Sequence, residues 1–152
     1  MALASALCLC AAAFSDISAA GSGISMEYEA RLFDTSEIIS VNILMDDSEW
    51  DAMLQNAAAE EYVRCDVEIN GEVFYSVGIR PKGNMSLTSI VNDPTTDRYS
   101  LKLEFDRYVD GQACFGLDKL VLNNSFADAT SMKEALIYDM FAFLGADASL
   151  YN

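Results

Sequence analysis

Apolar and polar residues alternate through two adjoining stretches of the chain. Val63, Cys65, Val67 and Ile69 interleave with Tyr62, Arg64, Asp66 and Glu68. After Asn70-Gly71 the alternation returns as Val73, Tyr75, Val77 and Ile79. A period of two puts each apolar set on one face of a strand. Asn-Gly supplies the two positive-φ positions of a type I′ turn, so the pattern predicts a β-hairpin. Arg98 to Phe105 reads as a further strand, with Tyr99, Leu101, Leu103 and Phe105 on one face and Ser100, Lys102 and Glu104 on the other. Leu117 to Leu122 is a shorter apolar strand. Glu37 to Met45 is another, carrying Val41, Ile43 and Met45 on a common face.

Elsewhere the period lengthens. Trp50, Met53, Leu54 and Ala57 fall at helical spacing behind Asp46 or Asp47, either of which can cap a helix. Leu136, Ile137, Met140, Phe141 and Leu144 make a second stripe, expected to be the buried face of a helix. It follows Ser131 and Glu134, which have the spacing of a capping box, and it ends at Gly145. Arg80-Pro81-Lys82-Gly83-Asn84 reads as the end of a strand and a rigid turn, and polar Ser86 to Asp97 reads as a loop. The order strand, helix, several antiparallel strands, helix gives an α+β class: an antiparallel sheet with a β-hairpin and flanking helices. There is no internal repeat.

The first twenty residues depart from this pattern. They are nearly all apolar and end in Ser18-Ala19-Ala20 before Gly21, which suits a signal peptide over 1–20 and a linker over 21–31. A basic start is missing and Asp16 lies near the cleavage point, so an N-terminal tail is the alternative. The run is short for a membrane span, and no stable span is expected once the leader is removed.

Charge narrows the functional classes. A net charge of −15 argues against nucleic acid and anionic lipid as partners, and the absence of histidine removes imidazole bases and His-containing zinc sites. Cys65 and Cys114, the two cysteines beyond the leader, lack the spacing of a zinc or redox motif. They read as two separate buried thiols, with a disulfide between them as the alternative.

Several segments in order resemble the CotH kinase family of spore-coat protein kinases. They are Val63 to Gly71, Val77-Gly78-Ile79-Arg80-Pro81-Lys82-Gly83-Asn84, Arg98 to Asp106, Gly116-Leu117-Asp118-Lys119-Leu120 with Val121-Leu122-Asn123-Asn124, and the helix from Met132 to Phe141. The resemblance spans roughly 32–152 and implies the N-terminal part of an atypical protein-kinase-like fold. It implies ATP and Mg as cofactors, phosphate transfer to serines of basic, serine-rich coat or surface proteins, and an exported, extracellular, cell-surface or spore-coat location. The family's catalytic and metal-binding aspartates belong to a later segment. The chain is therefore read as a fragment, inactive by itself, with no catalytic or metal residue assigned. A non-catalytic coat or surface scaffold or adhesin of the same fold is the alternative.

Phosphoryl transfer depends on positioning and charge neutralisation, and this chain offers cations for it. Arg80, Lys82, Arg98, Lys102, Arg107 and Lys119 are six of its nine basic residues. On the family's pattern Lys102 is the strand lysine that reaches the nucleotide phosphates, with a solvated sheet face as the alternative. Arg80 and Lys82 flank Pro81 before Gly83 and could cradle a phosphate or simply keep a loop soluble. Glu134 is the possible lysine-pairing carboxylate, although the capping box also accounts for it. Asn123, Asn124 and Asp128 could bind a metal or shape a turn.

Overall fold

The computed structural model describes residues 26–152. The leader expected at 1–20 lies outside them. Five strands, β1 (Val41–Leu44), β2 (Val63–Ile69), β3 (Glu72–Lys82), β4 (Ser100–Glu104) and β5 (Lys119–Leu122), pair antiparallel in chain order. Each strand lies beside its predecessor, so the sheet is a meander. Four helices accompany it: α1 (Glu27–Leu32), α2 (Asp47–Gln55), α3 (Met85–Val91) and α4 (Lys133–Phe143). The α+β reading holds. The linker read over 21–31 ends too late, because α1 begins at Glu27 and sends fully buried Leu32 into the core.

One face of the sheet carries that core. Val67, Ile69, Val77, Ile79, Leu103 and Phe105 are fully buried, joined by Met53 from α2 and by Cys65 and Cys114. Both thiols are free, as expected, and burial pushes each up to about 12. Asn70 and Gly71 take the positive φ values that close the β2–β3 hairpin.

The simple alternation fails in the middle of β3. Cys65 pairs with Val77, but Val67 pairs with Phe74, so the register slips between them. The slip is a β-bulge. Ser76 adopts φ 58°, and its N–H donates to Asp66 Oδ1 at 2.8 Å. Beyond the bulge the faces exchange. Phe74 packs edge-on against Phe105 and Phe115 at 5.4 and 5.5 Å, while Tyr75, expected on the core face, is 65% exposed.

Two further expectations are corrected. β3 continues through Pro81 to Lys82, so Arg80 and Lys82 lie on a strand and not on a rigid turn. Pro81 pairs with Leu101 of β4, and β2 has no residue opposite it, so its missing donor breaks no ladder on that side. The stretch read as a loop contains α3, anchored by buried Leu87 and Ile90 one turn apart.

The last correction concerns α4. Its stripe was read as buried, yet the helix has no buried residue. Leu136, Met140, Phe143 and Leu144 are all more than half exposed. Nor does Ser131 form a capping box. Ser131 sits at φ 55°, and Asp128 does the capping: Oδ2 accepts the Lys133 N–H at 2.9 Å, and Oδ1 accepts the Thr130 N–H and hydroxyl. Those hydrogen bonds, led by the Thr130 hydroxyl, lower the Asp128 carboxyl from 3.8 to about 2. Turn chemistry therefore accounts for Asp128. No helix among the described residues is long and apolar enough to cross a membrane.

Candidate functional site

Alternation on β3 and β4 sends Ile79, Pro81, Leu101 and Leu103 inward, so the residues between them face away from the core. Arg80 pairs with Lys102, Lys82 with Ser100 and Gly78 with Glu104. Directly opposed residues of an antiparallel pair share a face, with Cα atoms about 4.5–5.5 Å apart. The fold thus places Arg80, Lys82 and Lys102 side by side on one face, within reach of a common ligand. β5 adds Lys119, which pairs with Glu104.

Gly78 makes room at this end of the sheet. A Cβ there would lie 2.8 Å from Arg107 Cγ and 3.1 Å from the Tyr62 ring. Without one, the Arg107 stem and the Tyr62 ring cover the strand. The Tyr62 ring has the Arg80 guanidinium 5.3 Å and the Arg107 guanidinium 4.9 Å from its centroid.

Two carboxylates balance the cations. Arg80 Nη1 donates to Glu60 Oε2 and, at 3.0 Å, to the Pro81 carbonyl. Glu104 accepts the Tyr62 hydroxyl on Oε2, which also lies 3.8 Å from Lys102 Nζ, while Oε1 lies 3.7 Å from Lys119 Nζ. The Tyr62 hydrogen bond, followed by the charges of Lys119, Lys102 and Arg107, holds the Glu104 carboxyl below its ordinary range despite some desolvation. Lys82 makes no ion pair or hydrogen bond among the described residues.

Other candidates lie apart from this cluster. Arg98 donates through Nε, at 3.0 Å, and Nη2 to the Asn124 carbonyl, which removes it from the cationic group. Glu134 makes no ion pair with Lys102; it accepts from Asn123 Nδ2 at 2.8 Å. The carboxylate beside Lys102 is Glu104. Two open hollows, of about 450 and 360 Å³, share Arg98, and neither is lined by Arg80, Lys82 or Lys102. The three cations meet on an open sheet face and line neither hollow.

The CotH kinase protein family model matches residues 79–152. Over this segment, just under half of its length, the chain is similar to the CotH family. No curated protein and no solved structure matches it. The matched segment starts one residue before Arg80 and takes in Lys82, Lys102, Glu104 and Lys119. Tyr62 and Glu60 precede it.

Sequence reasoning gave Tyr62 and Gly78 no role at the site, set Glu104 beside Lys102 only as part of a solvated sheet face, and counted Arg107 and Lys119 without placing them. Glu104 was visible two residues beyond Lys102 on the same strand face. Tyr62, Gly78 and Arg107 become neighbours only through the β2–β3 register and the turn after β4.

Proposed function

We propose that this chain carries the phosphate-binding face of an exported CotH-type protein kinase. That kinase transfers phosphate from Mg-bound ATP to serines of coat or surface proteins. The observation supporting this reading is the registered pair Arg80 and Lys102, with Lys82 and Lys119 beside it, in a protein of net charge −15. Such a protein repels a polyanion at long range, so binding needs a local reversal of sign. The donor set here suits phosphate oxygens. It does not suit a metal ion, since both carboxylates, Glu60 and Glu104, already face cations, and no cluster of three metal-ligating side chains occurs among the described residues. Magnesium would supply charge neutralisation to the phosphates when bound with ATP.

Binding by the full chain is the direct test, read by calorimetry with Mg-ATP and with tripolyphosphate. Lys102→Met keeps the stem and removes the charge, and is expected to weaken both by roughly 10-fold, the scale of one charge-assisted hydrogen bond. A folded Lys102→Met protein with wild-type affinity for both ligands would remove Lys102 from the site. A wild-type chain that binds neither ligand would overturn the phosphate reading and favour the scaffold or adhesin.

A further inference from the structure

On the kinase pattern the lysine's carboxylate partner comes from a helix, here Glu134. The geometry points elsewhere. We infer that Glu104 is the positioning residue of this face, holding Lys102 and Lys119 as a pair with the Tyr62 hydroxyl as its own anchor. The inference rests on the phosphate-binding reading above and adds Lys119 to that site as a further phosphate-binding residue.

Three observations carry it. Glu104 divides its two oxygens between the lysines: Oε2 lies 3.8 Å from Lys102 Nζ and Oε1 lies 3.7 Å from Lys119 Nζ. Its side chain is only 16% exposed, against 48% for Lys119, so the carboxylate is the fixed member and the lysine the mobile one. Tyr62, whose ring packs over Gly78 with the Arg80 and Arg107 guanidiniums near it, gives the carboxylate a hydrogen bond that holds it in place.

The distances also matter. Both ion pairs exceed hydrogen-bond length, so each ammonium is oriented while its three donors stay available to an incoming oxygen. Arg80, Lys102 and Lys119 stand on three successive strands, with rows about 4.8 Å apart. A linked phosphate chain can touch all three rows at once. Ordering two flexible lysines before the ligand arrives lowers the entropy cost of binding.

The test separates position from charge. Glu104→Gln removes a negative charge, which by itself favours any anion, so its effect is read without ligand. The chain has four lysines, and the side-chain mobility of each can be followed by NMR relaxation at the ε-carbon. In Glu104→Gln, Lys102 and Lys119 are expected to become more mobile, while Lys82 and Lys133 stay as in the wild type. Tyr62→Phe keeps the ring and every charge. It is expected to loosen the same two lysines and to weaken tripolyphosphate binding about 3-fold, with orthophosphate little affected. Unchanged mobility of Lys102 and Lys119 in both folded variants overturns the inference, as does Tyr62→Phe with wild-type tripolyphosphate affinity. If the lysines loosen in both variants but the wild type binds no phosphate ligand, Glu104 still positions the pair and the phosphate reading fails.

Discussion

The sheet and helix α4 are both rich in apolar residues, and they meet opposite fates. The inward side of the sheet packs into a core: Leu103 and Phe105 are fully buried in a cluster that includes Leu32 of α1 and Met53 of α2. In α4 the apolar residues surround the helix, and none is buried. What holds α4 is polar and peripheral. Asp128 caps its start, Asn123 reaches Glu134, and the Tyr151 hydroxyl donates to Asp139 at 2.7 Å. Asn152 then donates to the carbonyls of Asp34 and Glu37, tying the segment after α4 to the region before β1. Apolar residues at helical spacing thus predict a helix but cannot supply the surface that would bury them. Nothing among the described residues covers α4.

Paired truncations give the widest contrast. Leu103→Ala removes a fully buried side chain and should cost about 2–5 kcal/mol. Leu136→Ala, 54% exposed, should stay within about 0.5 kcal/mol. Urea unfolding of both proteins measures the difference, and equal losses would mean that α4 is covered in solution.

Gly78→Ala probes the outer face of the sheet. The new methyl must displace the Arg107 stem and press on Tyr62, an overpacking expected to cost about 1–3 kcal/mol. Thermal unfolding reads the loss. A neutral result would show that Arg107 moves aside freely and that the Tyr62 stack is loose.

Asp66→Ala removes the acceptor that holds the bulge at Ser76 and should cost about 1 kcal/mol. Hydrogen exchange at the Ser76 amide should quicken with it. If that amide keeps its protection, the bulge is fixed by Phe74 packing alone.

Acid gives the smallest effect, confined to the start of α4. The Asp128 carboxyl is depressed from 3.8 to about 2 in the folded chain. Its stabilisation is therefore complete above pH 3.8 and is lost as pH falls towards about 2. The amide resonances of Thr130 and Lys133 should move through that window while those of buried Val67 and Ile79 do not. Movement centred near the ordinary value would mean that Asp128 does not cap the helix.

Period-two alternation, the Asn70-Gly71 turn and the helical spacing from Trp50 to Ala57 were legible because each rests on neighbours in sequence. The hairpin, α2, the α+β class and the two separate thiols follow from them. The β3 bulge was not legible. Val73 and Tyr75 continue the alternation on paper, and only Asp66 reaching Ser76 across the hairpin shows that Phe74 turns inward instead. The loop assigned over α3 failed for a similar reason. Its two anchors, Leu87 and Ile90, are too few for a periodicity argument, and their burial depends on what lies beneath them.

The candidate site divides in the same way. Sequence by itself determined that Lys102 and Glu104 share a strand face, that Arg80 and Lys82 flank Pro81 at the end of another strand, and that cations gather in this part of an acidic chain. Only the tertiary structure decided that all of these residues share one face. It set Arg80 opposite Lys102, brought Lys119 to the far oxygen of Glu104, and left Glu134 with Asn123. The physical reason is register. Local spacing fixes which side of its own strand a residue occupies, whereas cross-strand hydrogen bonds and the buried face of the sheet fix which residue stands opposite, and a slip of one position exchanges the faces.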